Sequence, residues 1–280
     1  MADFELDTRL TPQPDGSFSR ELSSDWEIWG PNGGYLGALM MRAAGATCGR
    51  SRPANAAVHF LGVASMDQPV TITAEVHRNS KVATSVGVAI HQSDRPIARA
   101  MVWAIASDVP GLRHEHVDPP EAPDWRSLPT IRERLTAEDL PYEPNYRFWD
   151  NFEQRPTEWI ADWANRPALP PVYLNWMKMI PRATFTDPWV EAGRLLLAVD
   201  LGAWPAASRA HVTDEFVAPS IDVSCEFHRI GSDDEWLLLH GVSPHASEGL
   251  IASHQQIWND QGQLLASGVS HLLCRQVKRT

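Results

Sequence analysis

Gly30-Pro31-Asn32-Gly33-Gly34-Tyr35, running straight into LGALMMRAAGA at residues 36–46, is the stretch on which the fold turns. The Gly/Pro cluster marks a turn. The run behind it is apolar on nearly every face, and a helix without a polar stripe is a buried helix. Gly45 and Gly49 mark where it stops. Four strand-like runs follow, Ala54–Leu61, Val70–Arg78, Ala83–His91 and Pro96–Ala106, with Gly, Asp, Asn and Ser in the gaps. Gaps this short join antiparallel neighbours.

The pattern then repeats. Residues 108–144 are rich in Pro and charge, with one short helical stretch at Thr130–Glu138. Strands are expected at Asn145–Gln154 and Tyr173–Ile180. A second apolar helix, Arg194–Trp204 (RLLLAVDLGAW), is expected to end at Pro205. Four more strand-like runs come after it: Val217–His228, Glu235–Val242, Gly249–Asn259 and Leu264–Arg275. Phe60 and Phe227 close the first strand of each set, and Arg95 and Gly262 lie in the last turn of each. Both pairs are 167 residues apart (227 − 60 and 262 − 95). A constant spacing of strands and turns points to a duplicated module. The expected fold class is α+β, with an N-terminal module at residues 1–110, a Pro-rich connector at 111–144 and a C-terminal module at 145–280. A buried helix wrapped by a curved antiparallel sheet is the hotdog pattern, and two in tandem make a double hotdog.

Composition narrows the function. The chain has 280 residues, 43% of them hydrophobic, which is enough to bury one large core or two smaller ones. A net charge of −11 opposes general binding to nucleic acid or anionic membrane. It leaves room for an anionic ligand held by a few local arginines. Cys48, Cys225 and Cys274 form no CxxC and suggest no disulfide framework. The N-terminus lacks a basic start followed by an apolar run, and no apolar stretch is long enough to span a bilayer. A cytoplasmic protein is therefore expected. No metal and no cofactor are expected either. Arg113-His114-Glu115-His116 has ligand-type residues but sits in the connector, and no His-Glu-x-x-His helix occurs.

The residues resemble a known family. Gly30–Leu36 resembles the start of the first central helix of bacterial type II acyl-CoA thioesterases, which are double hotdogs. Leu195–Trp204, with Asp200 inside it, resembles their second central helix. Ser220-Ile221-Asp222-Val223-Ser224-Cys225-Glu226-Phe227-His228-Arg229 resembles their most recognisable strand, and Glu235–Leu238 and Asp260–Ser267 continue the match. The resemblance implies hydrolysis of acyl-CoA, a role in fatty acid metabolism, and a substrate that is an acyl-CoA or acyl-carrier thioester. It also implies an Asp, a Thr and a Gln that hold and activate a water. These fall on Asp222, at or next to Ser243, and on Ser270. Thr to Ser keeps a hydroxyl, whereas Gln to Ser loses an amide and shortens the reach.

Residue chemistry supplies the candidates and their rivals. Asp222 lies in a strand where Ile221, Val223, Cys225 and Phe227 alternate with Asp222, Ser224, Glu226 and His228. A carboxylate in a partly closed site can take a proton from water, although Asp222 could equally sit on a solvated sheet face. Ser243 and Ser270 could orient that water, or be turn and strand-edge serines. Asp200 interrupts an apolar helix, where a carboxylate is costly unless paired or functional. It is the second candidate for the base, and His245 is another. Asn32, Gly33, Gly34 and Tyr35 stand where a helix begins, so free N–H groups there could bind the thioester carbonyl. Trp149, Trp159, Trp163, Trp176 and Trp189 could line an acyl channel or pack the modules together. No Gly-x-Ser-x-Gly occurs to support a serine nucleophile.

Two other classes of function stay open. One is a non-catalytic acyl-thioester binding module, motivated by Ser270. The other is a hotdog dehydratase or hydratase, whose usual Asp-x-x-x-x-His spacing is missing; Asp222 to His228 is one residue longer. Two modules in one chain already supply the pairing that single hotdogs gain by dimerising, so a monomer satisfies the fold. Association into a homo-oligomer through sheet edges is equally open.

Overall fold

The computed structural model describes residues 2–135, 146–162, 165–212, 216–231 and 233–276. In chain order the helices are α1 (Phe4–Asp7), α2 (Gly33–Cys48), α3 (Ile131–Arg134), α4 (Pro188–Leu201) and α5 (Ala203–Ser208). The strands are β1 (Thr11–Pro12), β2 (Phe18–Arg20), β3 (Arg52–Phe60), β4 (Val70–Asn79), β5 (Ala83–Gln92), β6 (Arg95–Ile105), β7 (Phe152–Pro156) and β8 (Val172–Met179). They continue with β9 (Phe216–Val217), β10 (Ser220–Phe227), β11 (Trp236–Ser247), β12 (Leu250–Trp258), β13 (Leu264–Leu273) and β14 (Arg275–Gln276).

Twelve of these strands form one antiparallel sheet in the order β1-β2-β4-β5-β6-β3-β10-β13-β12-β11-β8-β7. Its seam is the pair β3–β10, with Ala57 opposite Ser224 and Ala56 opposite Cys225. The first strands of the two repeats therefore lie side by side. Helix α2 packs on the first half of the sheet and α4 on the second. A single apolar core includes Leu39, Met40 and Met41 of α2 and Leu195, Leu196 and Leu197 of α4.

Local chemistry sets the helix ends. Asn32 caps α2 by accepting from the Tyr35 N–H at 3.1 Å, and Gly49, at φ +65°, ends it in the left-handed conformation. Helix α4 starts earlier than the apolar run implies, because Asp187 accepts from the Trp189 N–H and Pro188 takes the first helical position. Pro205 does not end that helix. It lies in the first turn of α5, where a missing N–H costs nothing. Within α4, Glu191 and Arg194 form an ion pair that is almost wholly buried, and Arg194 also donates to the Asp234 carbonyl.

The expected strand Asn145–Gln154 resolves into a 3-10 turn at Arg147–Asn151 followed by β7. Asn145, Trp163 and the end of the helical stretch at 136–138 lie outside the described residues. Residues 122–128 of the connector lie over the sheet face opposite α4. Trp125 stacks on Trp236 at 4.6 Å, and Trp176 donates to the Pro123 carbonyl at 2.9 Å.

The two central helices cross antiparallel and very closely. Gly34 lies against Leu197, Gly37 against Leu196, Ala38 against Gly193, and Gly45 against the Trp189 indole. A Cβ on Gly34 would stand 2.6 Å from the Leu197 Cα, which is backbone and cannot swing away. A Cβ on Gly37 would stand 2.4 Å from Leu196 Cδ2, the far end of a side chain rather than backbone. Gly34→Ala is expected to cost about 1–3 kcal/mol. Gly37→Ala is expected to cost less. Chemical denaturation of both variants checks this, and equal losses would contradict it.

Candidate active site

The crossing of α2 and α4 places a carboxylate at a helix N-terminus. Asp200, in the last turn of α4, is 8% exposed. Its Oδ2 accepts from the Gly34 N–H at 3.0 Å and its Oδ1 accepts from Ser220 Oγ at 2.8 Å. Burial holds its carboxyl above the ordinary value, and the two hydrogen bonds offset part of that rise. A Cβ on Gly33 would stand 2.9 Å from Asp200 Oδ2 and 2.8 Å from the Phe60 ring, so only glycine lets the chain pass here.

Ser220 reaches Asp200 because strand β10 carries a bulge. Ser220 pairs with Leu272, but Asp222 pairs with His271, so Ile221 is the extra residue. The bulge turns Ser220 onto the inner face with Val223, while Asp222 turns outward. Asp222 accepts from the His271 N–H at 3.2 Å and meets its Nδ1 at 3.0 Å. His59 of β3 is its register partner on the other side.

The candidate residues are therefore divided. Ser270 lies on the inner face, fully buried, in register with Val223 and Ser253, and its hydroxyl has no partner among the described residues. Asp222 points to the opposite side of the sheet. Ser243 is buried on β11, where its hydroxyl donates to the Ala252 carbonyl at 3.0 Å. His245 is exposed, with Nε2 at 2.9 Å from Ser247 Oγ. Asp222, Ser243 and Ser270 do not converge on one point; Asp200, Ser220 and the Gly34 N–H do. Unbroken alternation assigns Ser220 to the Asp222 side, and only the bulge moves it, which is why the sequence does not mark it.

The start of α2 is mostly committed. The Asn32 N–H donates to Trp26, Tyr35 N–H to Asn32 Oδ1, and Gly34 N–H to Asp200. The Gly33 N–H has no partner among the described residues. Tyr35 points away from Asp200: its hydroxyl donates to the Asp7 carbonyl at 3.0 Å, and its ring stacks on Trp26. Trp189 fills the space between the helices, Trp149 packs on Phe148, and Trp159 lies under Arg134. Glu115 of the connector pairs with Arg229.

Comparison with known proteins fits this architecture. Residues 22–105 match the acyl-CoA thioesterase N-terminal domain, and residues 114–273 match the acyl-CoA thioesterase C-terminal domain. The chain belongs to the acyl-CoA thioesterase family. It is similar in structure to acyl-CoA thioesterase II TesB2 of Mycobacterium marinum (TM-score 0.79, 18% identity, 99% of both chains). It is also similar to a hotdog-fold protein of Alicyclobacillus acidocaldarius (TM-score 0.81, 16% identity, 99% of this chain and 100% of that one). The tesB protein of Mycobacterium avium subspecies paratuberculosis resembles it too (TM-score 0.76, 19% identity, 98% of both chains). At such identities these structures establish the fold, a double hotdog. No curated protein matches the sequence significantly.

The raised pKa of Asp200 has a consequence for stability. A group whose pKa is higher in the folded state contributes stability that is complete below its unfolded pKa and is lost as pH rises through the folded one. Asp200 therefore weakens the fold once it ionises. Asp200→Asn removes that penalty, so its Tm is expected to exceed wild type near neutral pH. The gap should close as pH falls through the Asp200 pKa. Thermal melts across pH check this, and a variant less stable than wild type at neutral pH would refute it.

Proposed function

We propose that the chain hydrolyses acyl-CoA-type thioesters, with Asp200 as the general base. The observation that carries the proposal is the buried Asp200 carboxylate, pinned by Ser220 and by the start of α2. A carboxylate with a raised pKa is a stronger base than a solvated one.

Asp200 takes a proton from a water while the water oxygen bonds to the thioester carbonyl carbon. The carbonyl electron pair moves onto oxygen, and the developing charge is met by the Gly33 N–H at the positive end of α2. The tetrahedral intermediate then collapses, breaking the C–S bond. The proton held on Asp200 passes to the leaving sulfur, giving free acid and thiol. Ser220 fixes the rotamer of the carboxylate, and the Ser270 hydroxyl is a further partner for the water.

A thiol-release assay over short, long and aromatic acyl-CoAs tests the proposal. Asp200→Asn is expected to lower kcat by roughly 10²–10⁴, the usual range for loss of a general base. Asp222→Asn, altered on the outer face, is the comparison. An equal loss there would return the catalytic role to Asp222. Tight acyl-CoA binding with no thiol release would instead support a binding module. The acid limb of kcat/KM is expected above the ordinary carboxylate pKa of 3.8, because activity needs the ionised form of a group whose pKa is raised.

A further inference from the structure

The inner face of the second half-sheet carries two polar groups beside Ser270 that the steps above leave unused. Ser253 of β12 stands directly opposite Ser270 of β13. Gln255, two residues along the same face, donates through Nε2 to Ser253 Oγ at 2.5 Å. All three residues are 1% exposed or less. Their flanking positions on this face of β12 are Ile251 and Ile257, both buried. A glutamine in that row is costly unless its carboxamide is used.

It is only half used. Gln255 Oε1 and Ser270 Oγ are both buried without a partner among the described residues. A bare buried polar atom is costly, so such positions are usually filled by ordered water or ligand. The chain also makes room for the carboxamide. A Cβ on Gly202 would stand 2.0 Å from Oε1, and one on Gly241 would stand 2.6 Å from it. Gly202 lies two residues beyond Asp200, so Gln255 sits under the end of the helix that carries the carboxylate. Asp200 itself bonds Ser220, whose register partner Leu272 is two residues from Ser270 on the same face. A polar row thus runs from Ser220 through Ser270 and Ser253 to Gln255, across three adjacent strands.

We infer that Gln255 is a positioning residue for the hydrolytic water, an inference that rests on the proposed hydrolysis. Its carboxamide orients Ser253. Together with the Ser270 hydroxyl it holds an ordered water, which in turn hydrogen-bonds the water that Asp200 deprotonates. Gln255 touches neither substrate nor the reacting atoms.

The test is Gln255→Met, which keeps length and removes the amide. Its kcat is expected to fall about tenfold or more with KM nearly unchanged, the pattern of a lost transition-state interaction. Its Tm should match or exceed wild type, since an apolar chain suits this layer. In a Gln255→Ala background, Ser270→Gln is expected to recover turnover, because a carboxamide on the opposite strand reaches the same space. A Gln255→Met enzyme within about twofold of wild-type kcat overturns the inference. So does a loss of turnover that only tracks a lowered Tm. Wild-type protein that releases no thiol from any acyl-CoA overturns the proposed hydrolysis as well, which separates the two failures.

Discussion

The close crossing of the two central helices governs the rest of the molecule. Glycine at position 34 lets α2 lie against the backbone of α4, with no side chain between them. That contact sets the Gly34 N–H at hydrogen-bond distance from the Asp200 carboxylate. The bond lies at the positive end of the α2 dipole. Each helix covers its own half of the sheet, so the crossing also aligns the two halves at the β3–β10 seam. A side chain at position 34 would disturb packing, alignment and site together.

The sequence displays the architecture more clearly than the site, for physical reasons. Strands β3 to β6 and β10 to β13 are read from alternation and turn residues, and the structure moves their ends by only a few residues, except that β11 runs five residues further. Helix α4 begins six residues before the apolar run because capping by Asp187 and Pro188 sets its start. The two-residue strand β1 and the three-residue β2 are too short to show a period. The site depends on one extra residue in a strand. Ile221 breaks the alternation, sends Asp222 outward and brings Ser220 in. A bulge is a tertiary feature that the residue pattern does not mark. Asp200 is visible as a charge in an apolar helix, but its partners come from 166 residues before it and 20 after it.

The interior carries more polarity than packing needs. The Glu191–Arg194 pair is nearly fully buried, and such pairs seldom gain stability over well-packed apolar residues. Asp200, Ser270 and Gln255 add further desolvation cost on the same side of the molecule. This polarity gathers at and around α4, while α2 contributes mainly glycine, alanine, leucine and methionine. The two helices are thus unequal partners: one presents backbone, the other side-chain chemistry.

The inequality shows at the two ends of the crossing. At one end a carboxylate meets the start of α2. At the opposite end the start of α4 meets Gly45, and the Trp189 indole fills the gap, its Nε1 donating to the Arg50 carbonyl. A pair of identical subunits related by a twofold axis must carry every substitution twice. It cannot fill one junction with an indole and leave the other polar. Fusing the repeats into one chain lifts that restriction, so mutation can act on each junction separately. In evolutionary terms, the tandem arrangement lets one half become scaffold while the other keeps its chemistry.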